Sequence, residues 1–257
     1  MEIDGRRRVV IENVAPGAAG GEYALKRVEG DLIEVSADIL CDGHDAVAAR
    51  ILYKRETDSD WETALMEPLG NDRWAGIFHT VSAGYYQYTV QGWVDHFQSW
   101  QQRLLKKFTA NQELQVELAI GVSMLENAAK RVEPEAGGVL LELAERIDSS
   151  KDITSAVLLA TGKELSAVMK NNPDTSLATL YQPLFTILVE RQKALFSTWY
   201  EFFPRSSGSK QGQSGTFSDC EKLLPYISSL GFDVLYFPPI HPIGLTNRKG
   251  RNNSVSA

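Results

Sequence analysis

Apolar and polar residues alternate with a period of two through the first part of the chain. Ile33, Val35, Ala37 and Ile39 are interleaved with Glu34, Ser36 and Asp38, and Ile51 and Tyr53 alternate with Arg50 and Lys54. Successive side chains of a strand point to opposite faces, so this pattern predicts half-buried strands. Turn-forming residues break the runs at Cys41-Asp42-Gly43, Asp58-Ser59-Asp60 and Gly70-Asn71-Asp72. Short strands at this spacing predict an antiparallel β-sandwich of the immunoglobulin-like kind over residues 1–108. An aromatic run, Tyr85, Tyr86, Tyr88, Trp93, Phe97 and Trp100, falls at its end. Flat rings could stack on sugars, but sandwich core and domain interface are the expected roles.

The period changes at Thr109, where Thr109 and Gln112 fit a capping box. Leu114, Leu118, Gly121 and Leu125 then mark one helical face, and Leu140, Leu143, Ala144 and Ile147 mark a second. Shorter helices are expected over 153–160 and 163–170, with Pro173 as a stop. Residues 109–179 thus read as a small helical bundle. Over 184–190, Phe185, Ile187 and Val189 alternate with Leu184, Thr186 and Leu188, a strand again. A lone strand needs a sheet to join. The expectation is that about 180–195 return to the sandwich and that the bundle is an insertion.

From Phe196 a third pattern begins. A short apolar strand over 198–203 is followed by a Gly/Ser-rich loop over 205–215. Ser218 and Glu221 suggest another capping box. Leu223, Leu224, Ile227 and Leu230 follow at helical spacing, and Gly231 stands at the C-terminal cap. Residues 232–237 are apolar apart from Asp233 and read as a strand covered on both faces. Strand, helix and buried strand in this order predict a βαβ unit with parallel strands, the beginning of a barrel or of a doubly wound sheet. One such unit cannot bury its own faces, and 252–257 are polar loop, so the polypeptide is expected to continue.

Bulk composition narrows the function classes. A chain of 257 residues exceeds a single ordinary core, which suits two or three domains. Hydrophobic residues at 43% and charged residues at 23% fit a folded globular protein. A formal net charge of −7 gives no general attraction for nucleic acid or anionic membrane, and neither is expected as a partner. The first residues lack the pattern of a signal peptide and no run approaches a membrane span, so a cytoplasmic location is expected. Cys41 and Cys220 stand far apart in no metal-ligand spacing and read as free thiols.

The chemistry-bearing stretch comes last. Tyr236-Phe237-Pro238-Pro239-Ile240-His241-Pro242-Ile243-Gly244 precedes Thr246-Asn247-Arg248-Lys249-Gly250 and Asn252-Asn253. The prolines stop the strand, so the following loop opens at the C-terminal end of the parallel sheet, where βα barrels hold their active sites. Arg248 and Lys249 place cations there, and the two asparagines offer amide hydrogen bonds. Glu201 is a lone carboxylate, whereas glycoside chemistry needs two at a defined separation, so a structural role is expected. His241, between prolines, is expected to hold the loop. Tyr200 and Arg205 are candidates for bracing it.

These segments carry a resemblance. Trp199-Tyr200-Glu201-Phe202-Phe203-Pro204-Arg205-Ser206, Gly215-Thr216-Phe217, Leu224-Pro225-Tyr226-Ile227 and Leu230-Gly231-Phe232-Asp233-Val234-Leu235-Tyr236, with the Pro-Pro-Ile-His-Pro-Ile-Gly segment, resemble the opening of the catalytic barrel of bacterial maltosyltransferases that use maltose 1-phosphate. These form a branch of glycoside hydrolase family 13, the α-amylase superfamily. The Leu-Gly-Phe-Asp-Val-Leu-Tyr-Phe-Pro-Pro pattern is general to that superfamily. The Arg-Lys-Gly-Arg-Asn-Asn tail and the Trp-Tyr-Glu-Phe-Phe-Pro-Arg-Ser start are specific to the branch. Ser214 departs from the histidine that the branch would have there.

The resemblance implies that 196–257 are the truncated start of a (β/α)8 barrel and that the sandwich and helical insert form a homodimer. It implies transfer of maltosyl units from maltose 1-phosphate to the non-reducing end of α-1,4-glucans by a retaining mechanism, with no cofactor and no metal. The Asp nucleophile and Glu acid/base would lie beyond Ala257, so no catalytic residue is expected in this piece and it should be inactive alone. Lys249 matches a family lysine that contacts the donor phosphate; Arg248, Asn252 and Asn253 are substrate-binding candidates by adjacency. The competing reading is a non-catalytic carbohydrate-binding or dimerisation module of another α-amylase-family enzyme.

Overall fold

The structure, a computed structural model, describes residues 4–241 and 244–255. Pro242 and Ile243 of the proline-rich segment lie outside the described residues, as do Ser256 and Ala257 of the polar tail and the first three residues. The chain divides into two compact units, Met1–Val189 and Glu190–Ala257.

The first unit holds strands β1 (Val9–Ala15), β2 (Leu25–Val28), β3 (Leu32–Cys41), β4 (Val47–Arg55), β5 (Glu62–Leu65), β6 (Glu67–Gly70), β7 (Arg73–His79) and β8 (Gly84–Val94). Five helices follow: α1 (His96–Thr109), α2 (Gln115–Ala129), α3 (Pro134–Asp148), α4 (Ile153–Ala160) and α5 (Lys163–Asn171). The chain then returns as β9 (Thr179–Leu180) and β10 (Phe185–Glu190). One sheet runs β1-β3-β7-β6 and the other β2-β10-β8-β4-β5, with β9 also on β8. Phe185 faces Tyr88 and Val189 faces Gly84 across the antiparallel β10–β8 pair, so the strand after the helices rejoins the sheet it left.

Alternation in the sequence becomes alternation in burial. In β3, Ile33, Val35, Ala37 and Ile39 are buried, while Leu32, Glu34 and Leu40 are exposed. These residues share one apolar core with Ile51 of β4, Tyr88 of β8 and Ile187 of β10, so the inner faces of both sheets pack together. The helices build a second core on Trp100, Leu104, Leu125, Leu140 and Leu165. Trp100 is fully buried and its indole N–H donates to Glu117 O at 2.8 Å. Gly121 permits this contact: a Cβ there would stand 2.0 Å from Trp100 Cζ2.

The first helix begins earlier than the change of period at Thr109 suggests. Asp95 caps α1 by accepting from the Gln98 N–H at 2.8 Å, and Phe97 and Trp100 belong to this helix rather than to a strand. Phe97, Trp100 and Leu104 carry a helical spacing that the aromatic run leading into them obscures. Thr109 closes α1, its hydroxyl donating to Leu105 O at 2.9 Å, and makes no capping box. Leu114 precedes α2 rather than lying within it.

The second unit contains β11 (Trp199–Glu201), α6 (Phe217–Glu221), α7 (Leu224–Ser229) and β12 (Val234–Tyr236). β11 and β12 pair in parallel, with Trp199 opposite Val234 and Glu201 opposite Tyr236. Two short helices replace the single helix suggested by the leucine spacing, since Pro225 enters the first turn of a new one. The capping box is made by Thr216 and Asp219, not by Ser218 and Glu221, because the helix starts two residues earlier than expected. Gly231 follows α7 with φ of 87°, the left-handed conformation that suits glycine past a helix end. No helix among the described residues is long and apolar enough to cross a membrane.

Candidate functional site

Parallel pairing sends the C-terminal ends of β11 and β12 to the same edge. The segment after β11 carries Phe202, Phe203 and Arg205, and the segment after β12 carries Phe237, Pro238 and the cation-bearing loop. Rings hold this edge together. Phe202 meets Phe237 edge-on at 5.3 Å and Tyr200 edge-on at 6.0 Å, and Phe217 lies 5.8 Å from Phe237. Such edge-to-face pairs add to simple burial. Arg205 places its guanidinium 5.1 Å over the Phe203 ring. Tyr200 and Arg205 are therefore both engaged with rings at the strand ends.

At the opposite end of the pair, Asp233 ties the strands together. Its carboxylate accepts from the Thr198 N–H at 3.1 Å and from the Thr198 hydroxyl at 3.2 Å, and it pairs with Lys193 at 2.8 Å. The Lys193 ammonium and the Thr198 N–H hold this carboxyl below its ordinary range. Asp233 is thus a structural carboxylate. Glu201 is exposed at the end of β11.

The loop after β12 is tightly folded. Asn247, Asn252 and Asn253 have φ of 54°, 54° and 63°, left-handed conformations that asparagine tolerates better than most residues. Gly250 N–H donates to Ser254 O at 2.9 Å, and Arg248 N–H to Leu245 O at 3.4 Å. These bonds close a compact turn that carries Arg248, Lys249, Asn252 and Asn253, all four exposed. The four candidates share one loop and stand open to solvent. His241 is exposed as well. The asparagines thus have a backbone reason to be where they are, which their amide chemistry alone did not suggest.

The aromatic run of the first unit does not form an open platform. Tyr86, Tyr88, Trp93, Phe97 and Trp100 are buried, and Tyr85 alone of the run is exposed.

One charged cluster had no counterpart in the sequence reading. Glu117 is 4% exposed and lies between Lys107 at 2.7 Å and Arg103 at 3.0 Å. Burial pushes its carboxyl upward, but the hydrogen bonds from Lys107 and Arg103 outweigh that and leave it below the ordinary range. The signal available was the basic pair Arg103 and Lys107, spaced to share one face of α1.

Comparison with known proteins adds the lineage. A family profile described as alpha-1,4-glucan:maltose-1-phosphate maltosyltransferase, domain N/S, matches residues 7–191. A protein of that enzyme name from Chlorobaculum tepidum is 47% identical over 254 residues, covering 99% of this chain and 38% of its own length. Proteins of the same name from Methylacidiphilum infernorum and Myxococcus xanthus are 41% and 42% identical, covering 100% and 97% of this chain. The chain spans 38% of the length of each of these three relatives. With both sheets and all five α-helices of the first unit inside the matched span, the chain belongs to the domain N/S family of alpha-1,4-glucan:maltose-1-phosphate maltosyltransferases.

Proposed function

We propose that this chain is the N-terminal part of an enzyme that moves maltosyl units from maltose 1-phosphate to the non-reducing end of α-1,4-glucans. The observation that carries the reading is the exposed cationic turn after β12, at the C-terminal edge of a parallel pair, in a chain whose relatives bear that enzyme name. In this reading Lys249 meets the donor phosphate, with Arg248, Asn252 and Asn253 beside it. A cation here would also stabilise the phosphate as it leaves. The retaining mechanism requires a nucleophilic carboxylate and a separate acid/base. Neither role is assigned to Glu201 or Asp233.

The finer architecture belongs to the same proposal. The two sheets of the first unit are an immunoglobulin-like sandwich, and the five helices between β8 and β9 are an insert in it. Residues 196–257 are the opening βαβ unit of a (β/α)8 barrel. The sandwich and insert mediate a homodimer, and the enzyme works in the cytoplasm.

Phosphate release from maltose 1-phosphate with a glucan acceptor tests the assignment. The 257-residue chain is expected to release none. In the longer enzyme Lys249→Ala is expected to raise KM for the donor by ~10–100-fold and to leave KM for the acceptor near its original value, the loss expected for a charged hydrogen bond. Turnover by the short chain, or equal effects on donor and acceptor, counts against the reading.

A further inference from the structure

The first unit contains a cleft of about 440 Å3 between its sheets and its helices. That lies within the range of about 300–1,000 Å3 usual for small-molecule sites. Its floor is β4 and Trp93 of β8. One wall is the crossing from β5 to β6 with Trp74 beside it, and the other is α1 and α5. Trp93 is almost fully buried, with the Arg50 guanidinium 5.6 Å over its ring, while Trp74 is half-buried.

Three carboxamides dominate the polar lining of the cleft, beside the Ser166 hydroxyl and the charged Glu67, Asp95 and Lys170. Gln98, Gln101 and Gln102 project from α1 into it. Gln101 Nε2 donates to Ala160 O at 2.9 Å and to Ser166 Oγ at 3.1 Å, which fixes that carboxamide and leaves its carbonyl oxygen to accept. The carboxamides of Gln98 and Gln102 are exposed and make no hydrogen bond among the described residues. The charges in the cleft are already matched. Lys170 pairs with Glu67 at 3.5 Å, and the Asp95 carboxylate is held by the first turn of α1.

A cleft with indole walls, a row of carboxamides and no unmatched charge suits an uncharged ligand with an apolar face and many hydroxyls. Carboxamides give and accept hydrogen bonds equally, as hydroxyls require. An anion would find its one cation already paired, and a purely apolar ligand would strip water from three carboxamides without replacing their bonds. We infer that this cleft binds a short segment of neutral oligosaccharide, with Trp74 against a sugar face and Gln98, Gln101 and Gln102 on its hydroxyls. That the sugar is an α-1,4-glucan rests on the function proposed above. The cleft would then hold acceptor chain on the first unit.

Maltoheptaose titrated into the chain, followed by the side-chain amide resonances of glutamine and the indole resonances of tryptophan, tests this. Binding with Kd on the order of 1 mM is expected, with shifts at Gln98, Gln101, Gln102 and Trp74. The double variant Gln98→Ala and Gln102→Ala removes two exposed side chains from a helix that alanine favours, and affinity is expected to fall about tenfold. Trp74→Ala is expected to weaken binding further, and where it fails to fold the glutamine variant carries the test. Absence of binding at 10-fold above that concentration, shifts confined to 244–255, or unchanged affinity in the glutamine variant overturns the inference and leaves the transfer reaction standing. Cellohexaose binding in place of maltoheptaose overturns the α-1,4-glucan assignment while phosphate release by the longer enzyme tests the reaction separately.

Discussion

The two units use the same residue types in opposite ways. In the first, the strands' apolar faces meet across one core, and the aromatic residues Tyr88, Phe185 and Trp100 are fully or almost fully buried. In the second, Trp199, Phe217 and Tyr226 are 58%, 56% and 57% exposed around a two-stranded parallel pair. Parallel sheets are normally covered on both faces, and two strands are too few for independent stability. The second unit is instead organised by ring contacts among Tyr200, Phe202, Phe232 and Phe237 and by local polar bonds: Asp233 to Thr198 and Lys193 at one end, Asp219 to Thr216 at the start of α6. Burial in a large shared core carries the first unit; half-exposed ring contacts and hydrogen-bonded turns carry the second. Substitutions that act through burial should therefore be severe in the first unit and mild in the second.

The sharpest form of that contrast is a pair of tryptophans. Trp100→Ala removes a fully buried ring and the donor to Glu117 O, and is expected to destabilise the first unit by ~3–5 kcal/mol. Trp199→Ala removes a ring that is 58% exposed and is expected to cost less than about 1 kcal/mol. Thermal unfolding followed by near-ultraviolet circular dichroism compares the two. Equal losses would mean that the second unit has a core of its own.

A smaller effect is expected from the buried charge. Glu117→Gln keeps the shape of the side chain but removes the anion between Arg103 and Lys107, at an expected cost of about 1–3 kcal/mol. The pH dependence gives the sign. The carboxyl is held below its unfolded value by its two cations, so its contribution is present above the ordinary carboxylate range and is lost as pH falls through the folded value. The resistance of the first unit to urea should weaken on acidification, and less steeply in Glu117→Gln. Parallel pH profiles for the two proteins would show that Glu117 titrates alike folded and unfolded.

How far these features could be read in advance depends on the range of the cause. Strand alternation in β3 and the helical face of α3 are local patterns, and they correspond to the elements found, as does the short helix expected over 153–160. The return of 184–190 to the sheet was legible because an isolated strand has nowhere else to bury Phe185, Ile187 and Val189. The start of α1 was legible only in part: Phe97, Trp100 and Leu104 stand at helical spacing, but Phe97 and Trp100 read as the end of the aromatic run that fills β8, and the Asp95 cap is distinguishable only once the turn is formed. The loop candidates were placed by motif alone. Their common turn follows from left-handed asparagines whose φ values no spacing rule supplies. Glu117 was invisible because its burial depends on Gly121 admitting Trp100 against α2.

The smallest expected effect tests the second unit on its own terms. Asp219 accepts from the Thr216 N–H at 2.9 Å and from the Thr216 hydroxyl at 2.8 Å, and pairs with Lys222 at 2.9 Å. The Thr216 N–H foremost, then the Lys222 ammonium and the Thr216 hydroxyl, hold this carboxyl far below its ordinary range. The lowered value means that the contribution is complete at neutral pH and is lost progressively as pH falls below the ordinary carboxylate range toward the folded value. Asp219→Asn replaces the anion with a neutral acceptor and is expected to lower amide protection at Cys220 and Leu223, whose N–H groups bond back to Thr216 O and Cys220 O, while protection in β8 stays unchanged. Because α6 is short and its neighbours exposed, the opening it reports is local rather than global. Protection lost together in α6 and β8 would join the two units into one cooperative structure and remove the contrast between them.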